Sequence, residues 1–360
     1  MPSDARIERG AGRAARGARR AALVAAASLL MLGAAAAVSA AAQPGRHGAA
    51  KAAALCGSLA GRTPHITKVL WIFMENRSYG NKTSEIPGSP ADPYIRRTLI
   101  GHCGSTSDYH AVTHPSYPNY LAATSGSTHG VGADSLRYFK VKNIFGQVDP
   151  SWRSYEEFMP VGCDHVAQTG SPPADRYYVG RHNPAASYSS LPVGAPTAGD
   201  CRKYDEPMGG TTAGALAHDV RTGKLPRFSF VTPGLCDDMH LAADCEQSAV
   251  AIADGDAWLA KWIPVITAGP DYTSGHLVID ITWDEGAGGS NGADCVTSDA
   301  ANCIVPDIVL SPYTRHVVSG TDFSHYSLLK MTESLLHLRY LGGAARASTN
   351  NLCHPFGLCP

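Results

Sequence analysis

Two pairs of residues stand out for the chemistry that their types and placement allow: Glu75-Asn76 and Asp284-Glu285. Each follows an apolar run, 68–74 and 276–283, that reads as a buried strand. A third run, 227–232, leads into Asp237, Asp238 and His240, and a fourth, 304–310, precedes Asp322 and His325. Four strand ends thus each deliver carboxylates or imidazoles, with an amide at Asn76. Such oxygen-rich donors suit a hard cation and the hydrolysis that it assists. A fifth segment, 113–120, places Ser116 two residues before Pro118, which fits the first turn of a helix. Backbone N–H groups at such a turn receive a phosphoryl group, and a neighbouring cation activates the hydroxyl. The competing reading makes Ser116 a helix cap and nothing more.

Those residues need a scaffold that brings them to one edge. Between the strands lie helical candidates at 118–125, roughly 246–263 and 326–338. Strands alternating with helices predict an α/β fold with a mostly parallel central sheet flanked by helices. Ligands bind beyond the carboxyl ends of such strands. The stretch 134–223 is rich in Pro, Gly, Ser and Tyr and reads as long loops over the active face. Within it Trp152, Tyr155, Tyr177 and Tyr178 either line a pocket or pack the loops. No internal repeat or second core is evident, so residues 65–360 are expected to form a single domain.

The chain has 360 residues, 44% hydrophobic and 17% charged, which allows a large core and excludes general disorder. Its formal charge of −1 gives no footprint for nucleic acid. Residues 1–42 read as a signal peptide: six Arg up to Arg20, then an uncharged Ala-rich run. A membrane anchor is the other reading of that run, but it is weakly hydrophobic, so no permanent span is expected after cleavage. Residues 43–64 read as a linker and a loose lead-in. All ten Cys follow the leader, which predicts disulfides and a secreted, cell-envelope or periplasmic location. Cys353/Cys359 and Cys295/Cys303 are close enough in sequence for local staples.

Several segments together resemble the bacterial phosphoesterase family, which holds secreted acid phosphatases and phospholipases C of the alkaline-phosphatase superfamily. They are Met74-Glu-Asn-Arg-Ser-Tyr79, Thr113-His-Pro-Ser-Tyr-Pro-Asn-Tyr120, Ser125-Gly-Ser-Thr-His-Gly130 and Thr282-Trp-Asp-Glu285. His182-Asn-Pro184, the 231–240 run, Gly255-Asp-Ala-Trp-Leu259 and Phe323-Ser-His-Tyr-Ser-Leu-Leu329 extend the match. The resemblance implies a divalent metal, at one or two sites, held by Glu75, Asn76, Ser116, Asp284 and Glu285. The late acidic pair of the family is commonly two Asp, so Glu285 is a departure. Ser116 aligns with the superfamily nucleophile, and His240 or His325 with a general acid. His114, Asn119, His129, His182 and Asp238 align with substrate-binding positions. Gly234 stands where the family suggests Asn. Tyr120 occupies the place of the Arg that sulfatases need for their formylglycine code, which disfavours sulfate esters.

The expectation is an exported, metal-dependent phosphomonoesterase whose substrate is a phosphate ester, a lipid head group among the candidates. Two alternatives remain: a phospholipase C, whose family members usually extend further past the position of Leu341, and a non-catalytic binding protein on the same scaffold.

Overall fold

The computed structural model describes residues 54–165, 177–188, 199–241, 245 and 247–359. The expected signal peptide lies outside them. In chain order the strands begin with β1 (Lys68–Met74), β2 (Tyr79–Gly80), β3 (Ile86–Pro87), β4 (Gly104–Thr106), β5 (Tyr109–His110) and β6 (Trp152–Glu156). They continue with β7 (Asp205–Pro207), β8 (Phe228–Thr232), β9 (Leu277–Trp283), β10 (Asp307–Leu310), β11 (Val317–Ser319) and β12 (Phe323–Ser324). Eight of them form one sheet in the order β11-β4-β10-β9-β1-β8-β6-β7. Only β10 runs against its neighbours; the other pairings are parallel. The fold is therefore α/β with a mostly parallel sheet.

β1, β8 and β9 are near-continuous apolar runs because helices cover both faces of a parallel sheet. The helices are α1 (Ser116–Ser125), α2 (Ile144–Val148), α3 (Gly199–Tyr204), α4 (Ala215–Thr222), α5 (Ser248–Ala268), α6 (Pro270–Thr273) and α7 (His325–Leu335). α1 is buried along its whole length, so no solvent face marks it in the sequence. It ends at Gly126, where φ is +78° and a Cβ would lie 2.5 Å from the Leu341 carbonyl oxygen. α5 continues beyond the expected end at 263, through Pro264, because Ile266 keeps its buried face in register with Ile263. α7 lies against the sheet: Trp71 Nε1 donates to Thr332 Oγ1 at 3.0 Å, and the Phe73 and His325 rings are 5.5 Å apart.

Two expectations need correction. The stretch 134–223 is not simply loop, because β6 and β7 extend the sheet there. The polar residues of β6 hid it: Ser154 and Glu156 are fully buried and bond each other at 2.7 Å. Trp152, Tyr155 and Tyr178 are buried packing residues, and Tyr155 donates to Asp219 Oδ2 at 2.7 Å. Residues 54–64 are also not loose. Cys56 is bonded to Cys103, and the Gly57 and Leu59 N–H groups donate to the Ser311 and Pro312 carbonyls. The remaining disulfides are Cys163–Cys201, Cys236–Cys245, Cys295–Cys303 and Cys353–Cys359.

Candidate active site

Parallel strands aim their carboxyl ends at one edge, and the expected residues collect there. Glu75 follows β1, Asp238 and His240 follow β8, Asp284 and Glu285 follow β9, and Ser116 opens α1. Ser116 is the first helical residue, with Pro115 in the cap position and no side-chain cap bond. Its hydroxyl is therefore not a helix cap: Oγ donates to Glu75 Oε2 at 3.1 Å.

Glu75 is fully buried and is the most densely bonded group of the site. Tyr120 OH donates to Oε1 at 2.6 Å, and Asn76 Nδ2 donates to Oε2 at 2.6 Å. His182 Nε2 lies 3.0 Å from Oε1. Burial would raise the Glu75 pKa, but His182, His240 and Tyr120 outweigh it and hold the carboxyl below its ordinary range. Asn76 adopts a left-handed φ of +51°, which lets its N–H donate to Asp284 Oδ1 at 3.0 Å. That bond joins the ends of β1 and β9.

Asp284 is fully buried, and beyond the neighbouring Ser116 hydroxyl its Oδ2 has no donor. Burial, then the charges of Glu75 and Glu285, push its pKa well above the carboxylate range. Asp238 is raised in the same way, by burial and Glu75, and its Oδ2 has only the His182 Nδ1 nearby, at 3.4 Å. A permanent cation beside them is the buried Arg77, whose guanidinium donates to the Met239 and Asn76 carbonyls. Burial lowers its pKa to about 10 against the pull of Asp238 and Glu75. Bare carboxylate oxygens at such a cost are what a hard divalent ion relieves. The donors that fit one are Glu75, Asn76, Ser116 and Asp284.

Glu285, also expected among the ligands, has other partners in the structure. Its Oε2 lies 2.9 Å from His114 Nδ1 and 3.4 Å from Asn119 Nδ2, and burial raises its pKa to about 7 despite His114. Among the described residues, Glu75, Asp284 and Glu285 do not gather their oxygens round one point.

Four of the expected substrate or acid residues are engaged by protein groups in the structure. His325 is fully buried between two partners: Nε2 is 2.6 Å from the Asp284 carbonyl and Nδ1 is 3.1 Å from Tyr109 OH. The carbonyl only accepts, so Nε2 carries the proton and Nδ1 accepts from the phenol. Burial lowers the imidazole pKa to about 4, and both ring nitrogens are occupied by these two partners. Asn119 braces the loop before Ser116: Oδ1 accepts from the Val112 and Thr113 N–H groups, and Nδ2 donates to the Thr113 carbonyl. His129 lies past the far end of α1, on Ser125 Oγ at 2.8 Å, about 14 Å along the helix from Ser116. His182 bridges Glu75 and Asp238, stacks on Tyr120 with ring centroids 5.3 Å apart, and is lowered by burial to about 4.

His240 and His114 remain at the edge. The His240 N–H donates to Asp238 Oδ1 at 2.7 Å, and Nδ1 is 2.8 Å from the Leu241 carbonyl. That contact fixes the proton on Nδ1 and leaves Nε2 for exchange. His114 Nε2 is buried without a hydrogen bond under the glycine-rich loop, and a Cβ on Gly289 would meet its ring at 2.4 Å. Gly234 is explained by packing, since a Cβ there would lie 2.4 Å from the Phe158 ring. Sequence reasoning missed Tyr120, Arg77 and Tyr109 as parts of the site. The signal for the first two was their place inside the motifs that carry Ser116 and Glu75.

The chain is 24% identical over 242 residues to an acid phosphatase of Aspergillus fumigatus, covering 66% of this chain and 49% of that protein. It is 25% identical over 296 residues to a phosphatidylinositol-3-phosphatase of Mycobacterium tuberculosis, covering 81% and 84%. A phosphate-repressible acid phosphatase of Penicillium chrysogenum is 25% identical over 66% of this chain and 52% of its own. The chain thus spans about half the length of the two fungal relatives. In fold it is similar to a Bacteroides thetaiotaomicron protein of glycosaminoglycan metabolism (TM-score 0.52, 12% identity, 81% and 82% covered). It is also similar to an alkaline-phosphatase-superfamily protein of Vibrio parahaemolyticus (TM-score 0.50, 11% identity, 80% and 71% covered). The profile of the Phosphoesterase family matches residues 103–339, and the chain belongs to that family.

Proposed function

We propose that this chain is an exported, metal-assisted phosphomonoesterase with Ser116 as its nucleophile. The observation that carries the reading is the Ser116 hydroxyl at the start of α1, bonded to Glu75 at 3.1 Å rather than spent on a cap. A divalent cation held by Glu75, Asn76, Ser116 and Asp284 would stabilise the alkoxide and the charge on the phosphoryl oxygens. The Ser116 proton passes along its hydrogen bond to Glu75 Oε2, Oγ attacks phosphorus as the bond to the leaving oxygen breaks, and His240 gives that oxygen a proton from Nε2. Water then attacks the phosphoseryl group, returning phosphate and the serine hydroxyl. Glu75 orients Ser116, and Tyr120, His182 and Asn76 hold Glu75 in place.

Export is supported by the Arg-rich leader pattern and by five disulfides. A phosphoinositide monoester is included among the substrates because the mycobacterial relative, similar over most of both chains, is named for one.

The test is hydrolysis of an aryl phosphate, a phosphoinositide monoester and phosphatidylcholine by wild type and Ser116→Ala. Monoester turnover that a chelator abolishes, a divalent ion restores and Ser116→Ala lowers about a thousandfold supports the reading. Dominant diacylglycerol release, or near wild-type activity in Ser116→Ala, overturns it.

A further inference from the structure

A second group of oxygens lies in the sheet itself, outside the residues given a role above. Asp280 of β9 and Asp307 of β10 are buried to 0% and 1% exposure. Their carboxyl groups meet each other side chain to side chain, and none of the four oxygens accepts a hydrogen bond from any other protein group among the described residues. Thr106 of β4 is 1% exposed, and its Oγ1 is likewise without a partner.

The ladder places all three together. Asp307 pairs with Thr282 on one side and with Thr106 on the other, and Asp280 pairs with Val309. Directly paired residues share a face, and residues two apart on a strand share it too. Thr106, Asp307 and Asp280 therefore point to the same side, Thr106 directly across from Asp307 and Asp280 on the diagonal. It is the side that Trp71 and Phe73 present to α7, since Trp71 pairs with Asp280 and Phe73 with Thr282. Thr282 is not part of the group, because its Oγ1 already donates to the Pro306 carbonyl at 3.0 Å.

Two carboxylates facing each other in a core have two ways to be tolerated. One proton shared between them satisfies two oxygens and leaves the others, with the Thr106 hydroxyl, bare. A cation satisfies them together and cancels both charges. The donors are all oxygen and include no thiolate or imidazole, which selects a hard ion, and a charge of two matches the pair.

We propose that Asp280, Asp307 and Thr106 form a structural site for a hard divalent cation of the calcium class, separate from the residues that surround Ser116. The ion enters as the strands β4, β10 and β9 close on one another, and it holds the antiparallel strand β10 in the otherwise parallel sheet. It has no part in the reaction.

The experiment uses the full chain carrying Glu75→Gln and Asp284→Asn, which removes the ion expected beside Ser116. This protein, with its disulfides intact, is unfolded in chelator and refolded with or without calcium chloride. The expected result is one calcium per chain by plasma mass spectrometry after desalting, and a Tm about 5 °C above the calcium-free sample at saturating ion. Adding Asp280→Asn and Asp307→Asn should abolish both the bound calcium and the shift. If that variant does not fold, Thr106→Val in the same background should raise the calcium needed for half the Tm shift about tenfold. Absence of retained calcium with an unchanged Tm overturns the proposal and leaves the pair as a shared-proton contact. Equal retention in Asp280→Asn/Asp307→Asn also overturns it. No readout depends on activity, so the result stands apart from the fate of the phosphomonoesterase reading.

Discussion

Tyr120 OH donates to Glu75 Oε1 at 2.6 Å while the ring of Tyr120 stacks on His182, the same imidazole whose Nε2 lies 3.0 Å from that oxygen. One side chain thus fixes a carboxylate and the histidine beside it. Tyr120→Phe keeps the stack and removes the bond. The expected outcome is a 10- to 100-fold rise in the divalent ion needed for half-maximal activity, as for other partners of metal ligands. Titrating activity with metal after chelation checks it, and the Tm in chelator should change little.

His325→Gln tests whether that histidine positions Asp284 or gives a proton. In the folded chain its pKa is lowered from 6.5 to about 4 by burial. The unfolded chain therefore binds the extra proton first as pH falls. Stability contributed by the neutral ring is present above pH 6.5 and is lost as pH drops towards 4, by at most roughly 3 kcal/mol. The Tm gap between wild type and His325→Gln should narrow over that interval. The basic limb of the kcat/KM profile should keep its midpoint in His325→Gln and shift or vanish in His240→Gln.

Gly289→Ala would drive a methyl group into the His114 ring, at a φ of +132° that already disfavours a side chain. The loop must lift from His114, loosening the His114–Glu285 contact at 2.9 Å. A fall in kcat/KM of about tenfold to a hundredfold is expected. A thermal melt should show a shift of no more than a few degrees, because residues 287–290 are exposed.

Glu333 offers a stability test remote from Ser116. Both its oxygens accept from the Leu341 N–H, at 3.0 and 3.3 Å, and burial raises its pKa from 4.5 to about 8. The folded chain holds this proton longer than the unfolded one, so stability declines as pH rises from 4.5 to 8. Glu333→Gln should be neutral near pH 4 and should raise the Tm by a few degrees at pH 8, as followed by circular dichroism across the range.

The strands 68–74 and 276–283 were legible because a strand covered on both faces needs apolar residues at every position. β6 was not, since Ser154 and Glu156 satisfy each other only after folding. The same contrast runs through the site. Glu75, Asn76, Ser116 and Asp284 follow from strand ends and a helix start, features of local sequence. The second ring of contacts does not: His325 on a backbone carbonyl, Asn119 inside its own loop and Glu285 on His114 depend on side chains that meet across the fold. His129 shares a motif with neighbours that do pack near the site, yet it lies beyond the opposite end of α1, a distance that spacing along the chain does not reveal.

The residues around Ser116 come from segments as far apart as Glu75 and His325 and are carried by strands β1, β8 and β9 and helices α1 and α7. Loops between such distant partners close late and at high entropic cost, which slows folding relative to helices of the same length. No fragment that lacks either β1 or α7 carries the arrangement. Proteolytic pieces lacking β1 or α7, and chains released before residue 335 is made, are therefore expected to be inert, and synthesis itself withholds hydrolysis until the chain is nearly finished.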